Sequence, residues 1–320
     1  MVTGTEVGGA ASSPPLTLKS RLRRSIGPDL DGYYFILPTV IIVFCLILYP
    51  FCLAVYYSMS NAFIGEETHF IGLENFHYII FEDDIFMMTV RNTLLFAVIS
   101  VVFKTVLGLL CALLLLRIIK LRRFLRGAML LPFVAPTALT TLGWWLILDP
   151  TYSHINWIFE HVWPFSVFDV GPYNFLGEPT LALGAVIFVN VWRGLPFFII
   201  TILAGLVSIP DHLYEAAEID GASIMDKFWK ITLPLLRPVL AVIILFSTIF
   251  TLGEFNIIYV LTRCGPMNET HLFATYSFTA GVLNHEIGLG AAIALFLFPI
   301  LVVTVILLLR LVRRDSQYEL

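Results

Sequence analysis
The chain has 320 residues, of which 58% are apolar and 13% charged, and its mean hydropathy is +0.89. A soluble domain carries about 25% charged residues, so this chain cannot clothe itself in polar surface and takes lipid as its solvent. The formal net charge of −4 selects no partner, and no basic patch suggests nucleic acid.

Residues 1–30 read as a cytoplasmic leader, disordered at its start. The first 18 are dominated by Gly, Ala, Ser, Thr and Pro and hold no apolar run, so they lack the h-region of a signal peptide. A bilayer crossing needs about 20 predominantly apolar residues. Six stretches qualify, at roughly 33–57, 92–116, 127–148, 181–205, 235–261 and 288–312. The first is too long for an h-region and has no small-residue cleavage site behind it, so it reads as an anchor. The expectation is an all-α membrane protein with a six-span domain over 31–314 and a cytoplasmic tail at 315–320.

Lys19, Arg21, Arg23 and Arg24 precede the first span, and Arg117, Lys120, Arg122, Arg123 and Arg126 lie between the second and third. Lys227, Lys230 and Arg237 lie between the fourth and fifth, and Arg310, Arg313 and Arg314 close the sixth. The alternate loops hold only Arg91 and Arg263. By the positive-inside rule both termini face the cytoplasm. The outer loops, 58–91, 149–180 and 262–287, are too short for ordinary domains and can form short helices capping the outer mouth. Cys45, Cys52 and Cys111 fall within spans and Cys264 stands alone outside, with no metal-ligand spacing.

On the inner side, 206–234 is the sizeable feature. Ser208, Pro210 and Asp211 form a helix start, and 211–219 contains no breaker. Tyr214, Ala217 and Gly221 share one face, and Gly221 ends or bends the helix. A second amphipathic piece, 222–232, sets Ile224, Phe228, Trp229 and Ile231 against Asp226, Lys227 and Lys230, and is expected along the membrane surface. An ordinary interfacial loop helix would also fit. A docking function is favoured by the low bulk of Ala216 and Ala217 and by the charge pattern of Glu215, Glu218 and Asp220.

Ionisable groups inside spans are functional candidates. Span two has Lys104, which is read first as a packing or lipid-snorkelling residue. Span four has Asn190, Trp192, Arg193, Gly194, Pro196 and Phe197; span five has Gly253, Glu254, Asn256 and Tyr259. Asn190, Glu254 and Asn256 can hydrogen-bond hydroxyls, and Trp192, Phe197 and Tyr259 can face sugar rings. Arg193 and Glu254 could instead neutralise each other. Trp144 and Trp145 read as interfacial belt residues.

"EAAEIDGAS" followed by "ITLPLLRP" resembles the EAA loop of ATP-binding-cassette (ABC) importer permeases, with Glu215, Ala216, Ala217, Asp220, Gly221, Ile231, Leu233 and Pro234 in the motif's places. "FIGLENF", "RNTLLF", "LLPFVAPT", "WWLILDPTYSHIN", "VWRGLPFF" and "FNIIYVLTRCGP" resemble the carbohydrate branch, the maltose-type and glycerol-phosphate-type permeases, over about residues 30 to 314. In the last motif Arg263 and Cys264 replace two glycines.

The resemblance implies the type I importer fold and a binding-protein-dependent system for a sugar, polyol or glycerol phosphate. It implies a second homologous permease, two nucleotide-binding ATPase subunits gripping coupling helices such as 211–221, and an extracytoplasmic solute-binding protein. It implies that Asn190, Gly194, Phe197 and the segment up to Glu254 lie near the solute. No G-x-x-x-x-G-K-[ST] occurs, so ATP–Mg would be used by the partners and this chain would bind no cofactor. A permease for polyamine or phosphate shares the EAA loop. An ion-gradient transporter is opposed by the lack of a visible inverted duplication, and an intramembrane enzyme by the lack of HExxH and GxSxG.

Overall fold
The computed structural model describes residues 33–117, 122–162 and 173–316. The leader 1–30 with its basic residues, Lys120, Asp169 and the tail beyond Ser316 lie outside them. Two compact units divide the chain, Met1–Ala54 and Val55–Leu320. In the first, helix runs from Tyr33 onward with a wider π-turn at Phe44–Leu48, and residues 33–52 are exposed. A continuously apolar helix with no buried face is what a lipid-facing span requires.

Among the described residues, five helices are long and apolar enough to cross a bilayer: α1 (Tyr33–Ser58), α3 (Asp84–Arg117), α7 (Pro179–Val207), α9 (Ile224–Leu252) and α12, which carries the candidate span Ile287–Leu307 within Ile287–Ser316. Between them come α2 (Glu74–Phe81), α4 (Arg122–Val134), α5 (Thr137–Leu148), α6 (His154–His161), α8 (Asp211–Ile219), α10 (Asn256–Leu261) and α11 (Phe273–Leu283). The short helices expected in loops 58–91, 149–180 and 262–287 are therefore α2, α6 and α11.

Span two starts earlier than hydropathy suggested. Asp84 opens α3 at the positive end of its dipole, and Arg117 sits in its last turn. The third span departs from expectation: Gly127–Val134 and Thr137–Leu148 are bent by 97°. Pro132 lies within α4, and Pro136 takes an extended conformation as the N-cap of α5. Proline lacks an N–H and biases the preceding residue, Ala135, away from helix, so the chain turns there. The fifth span also ends sooner, at Leu252 and not 261, with Gly253 as C-cap.

Three apolar clusters hold Val55–Leu320 together. One joins Ala112 and Leu115 of α3 to Phe198, Ile202 and Leu206 of α7 and to Leu236, Leu240 and Ile243 of α9. A second packs Phe96 of α3 against Val186 and Val189 of α7 and Ile257, Ile258 and Leu261 of α10. The third packs Phe86 of α3 and Ile79 of α2 against Phe273 and Tyr276 of α11 and Ile293 of α12. Helices α3 and α7 approach closely because Gly108 has no side chain: a Cβ there would lie 2.6 Å from Phe198 Cβ.

Polar ties bind the segment 262–287 to the start of α3. Arg91 pairs with Glu269 at 3.2 Å, the Asn92 amide donates to the Glu269 carbonyl at 2.7 Å, and the Tyr276 hydroxyl donates to Asp83. Burial holds the His271 imidazole down to about 4, so it stays neutral at pH 7.

Candidate functional site
The candidate coupling site is built on α8. Pro210 is its N-cap in extended conformation, and Asp211 supplies the acidic first turn. Ser208 does not cap it, contrary to the sequence reading. It ends α7, and its Oγ donates to the Gly205 carbonyl at 2.7 Å. The helix stops at Asp220. Gly221, at φ +78°, donates to the Glu218 carbonyl, and Ala222 donates to the Ala217 carbonyl at 2.9 Å. These two reversed bonds form a Schellman motif, which requires a left-handed residue and hence favours glycine.

The helix has a seated face and a free one. Leu213 and Tyr214 pack on the α3–α7–α9 cluster, and the Tyr214 hydroxyl is 3.0 Å from Thr232 Oγ1. Lys227 at the start of α9 donates to Glu218 at 2.6 Å. On the free side, Glu215, Ala216, Asp220 and Gly221 are exposed, with Ala217 half-buried. Ile219 is 88% exposed, and Ile224, Met225 and Trp229 stand out beside it, adding apolar surface to the polar motif. Residues 224–232 do not form a helix separate from the fifth span. They are the first turns of α9, opened by the Ser223–Asp226 capping box and widened by the π-turn Phe228–Thr232.

The polar residues of the spans gather where α3, α7 and the end of α9 meet. Asn190 is buried and its Oδ1 has no hydrogen-bond partner; the same holds for Arg193 Nε and for Ser100 Oγ on α3. Gly194 faces Lys104: a Cβ on it would lie 2.7 Å from Lys104 Cε. Lys104 is 4% exposed, and its ammonium donates to Thr251 Oγ1 at 3.2 Å. It therefore does not snorkel to the membrane surface. Its strongest charged neighbours are Glu254 and Arg193. Glu254 accepts the Ile257 N–H at 3.1 Å and so caps α10, and no Arg193–Glu254 ion pair within 4.0 Å occurs among the described residues.

Gly253 and Asn256 are exposed at the α9–α10 corner. Phe197 is half-buried and stacks on Phe133, with centroids 5.8 Å apart. Tyr259 is occupied: it stacks on Phe255, and the Arg263 guanidinium lies 4.7 Å from its ring centroid. Trp192 packs edge-on against Trp144, which also meets Phe188 edge-on, so Trp144 has a packing role. Sequence reasoning undervalued Lys104 and passed over Thr251 and Ser100. The available signal was the shared helical face of Ser100 and Lys104, one turn apart on α3. Arg263 and Cys264 adopt φ of +50° and +66°. Glycine would meet that conformation at lower cost, and here the Tyr259 contact and the burial of Cys264 offset it.

Residues 104–316 match the family described as "Binding-protein-dependent transport system inner membrane component". The chain is 37% identical to the trehalose/maltose transport system permease protein MalF of Thermococcus litoralis, over 89% of this chain and 95% of that one. It is 31% identical to the sulfoquinovosyl glycerol transport system permease protein SmoG of Agrobacterium fabrum, over 90% and 92%. A chain of a bacterial ABC transporter involved in the import of the acidic polysaccharide alginate superposes with a TM-score of 0.77 at 24% identity, over 92% of this chain and 99% of that one. The bent and short helices thus belong to the type I ABC importer permease fold. The chain belongs to the family of inner membrane components of binding-protein-dependent transport systems, and is a multi-pass membrane permease.

Proposed function
We propose that this chain is one of a pair of permease subunits importing a sugar, a di- or short oligosaccharide such as trehalose or maltose, driven by ATP hydrolysed on two partner subunits. A solute-binding protein delivers the sugar on the outer face. Both termini lie in the cytoplasm, in keeping with the Lys and Arg asymmetry, and ATP–Mg is used by the partners, with no cofactor on this chain. One observation carries the reading. Helix α8 presents Glu215, Ala216, Asp220 and Gly221 outward while Leu213 and Tyr214 are seated in the core that joins α3, α7 and α9. A partner gripping the exposed side would move three spans at once, which is what a chain without its own phosphate loop requires. The sugar assignment is supported by the likeness to the T. litoralis permease over most of both chains.

Asn190, Arg193, Gly194, Phe197, Gly253, Glu254 and Asn256 are the proposed solute path, and Glu215, Ala216, Ala217, Asp220 and Gly221 the coupling site. The test is uptake of labelled trehalose and maltose in cells whose membrane potential is clamped while ATP is depleted. Uptake collapses with ATP if the reading holds. Uptake that follows the ion gradient with ATP exhausted overturns it in favour of a secondary transporter, and import of phosphate or polyamine in place of sugar overturns the sugar assignment alone.

A further inference from the structure
A lysine ammonium buried in a membrane span is costly, and a methionine of similar length would fill the same volume without that cost. Lys104 is 4% exposed, yet it makes one hydrogen bond, to Thr251, where an ammonium can donate three. Its stem crosses the bare backbone of Gly194, where an added Cβ would lie 2.7 Å from Lys104 Cε and oblige the stem to shift. Three elements therefore converge on one side chain: α3 supplies the ammonium, α7 the gap that admits it, and α9 the acceptor. Thr251 stands in the last turn of α9, before the Gly253 C-cap and before Glu254, whose carboxylate caps α10. Glu254 is also the one anion among the charged groups acting on Lys104, Arg193 being the other cation.

We infer that Lys104 is a positioning residue of the solute path: threaded over Gly194, it fixes Thr251 and through it the α9–α10 corner that carries Glu254 and Asn256. This rests on the proposed transport function for its physiological meaning, but not for its geometry. The corner is where span five stops being helical, so its placement is set by few backbone bonds and a side-chain tie has leverage there.

The experiment uses the full complex in the membrane. Lys104→Met keeps the volume and removes the charge; Gly194→Ala keeps Lys104 but denies its stem the gap. Each raises the half-saturating concentration for trehalose about tenfold with a much smaller change in maximal rate, and the double variant adds little to either single one, as expected for two residues serving one contact. A second readout needs no solute. With the four native cysteines replaced, Asn256→Cys reacts with a membrane-impermeant maleimide severalfold faster in either variant than with Lys104 and Gly194 intact. Unchanged half-saturation together with unchanged labelling overturns the inference, as does full additivity of the two substitutions. If the unaltered complex fails to import trehalose, trehalose is excluded as its solute while the labelling arm still decides the role of Lys104.

Discussion

Asn190 and Arg193 each bury a polar atom that has no hydrogen-bond partner, on the same stretch of α7 that Gly194 opens to Lys104. Buried polar groups are normally satisfied, because each orphan costs about 1–3 kcal/mol. Packing alone gives no reason to keep Asn190 there, whereas a hydroxyl-bearing solute would supply the missing partner. Asn190→Ala and Glu254→Gln are each expected to raise the half-saturating concentration for uptake by about tenfold, corresponding to about 1.4 kcal/mol, with ATP hydrolysis by the complex retained. Measured uptake kinetics with unchanged half-saturation in both variants would take these two residues out of the path. Tyr259 is expected to contribute less than its residue type suggests, since Phe255 and Arg263 already cover its faces.

At the scale of elements, α8 was the most legible part of the chain, and for a local reason. Its start at Asp211 and its stop at Gly221 depend on residues within one turn of each end, so the sequence reading and the structure agree on Asp211–Ile219. The bend in span three was not legible as such. Pro132 and Pro136 stood in plain view, but apolar periodicity cannot tell a kinked span from a straight one, and neighbouring helices decide how a freed carbonyl is satisfied. The end of span five was misplaced because α10 is as apolar as α9, and the break between them turns on the Gly253 cap and the Glu254 side chain rather than on hydropathy. The role of Lys104 was hidden by distance: its acceptor lies 147 residues further on.

The Schellman end of α8 gives a sharp prediction. Nothing lies within 4 Å of where a Gly221 side chain would start, so substitution there acts through the backbone at φ +78° and through the docking surface, and not through a clash. Gly221→Asn tolerates the left-handed conformation and should keep most uptake, whereas Gly221→Val loses about 1–2 kcal/mol of local stability and should abolish coupling. Gly221→Asp adds a negative charge beside Asp220 and is expected to uncouple ATP hydrolysis from uptake or to prevent assembly. Normal uptake with normal assembly in Gly221→Asp would remove the coupling role from this helix.

At the scale of the whole molecule, the features form one mechanical chain. Helix α8 is tied to α9 through Tyr214–Thr232 and Glu218–Lys227. The shared cluster of α3, α7 and α9 carries that tie into the spans. Close contact of α3 with α7 at Gly108 and Gly194 carries it on to the polar groups around Glu254. The segment 262–287 is fastened to the start of α3 by Asp83, Arg91 and Asn92. A displacement applied at α8 thus has packed side chains to travel through into the spans. The most direct test is purification of this chain with its partner permease and ATPase subunits, followed by reconstitution into liposomes with no ion gradient and with the binding protein outside. The account predicts trehalose or maltose accumulation only when ATP is enclosed and the ATPase subunits are present; accumulation by this chain alone, or without ATP, would contradict it.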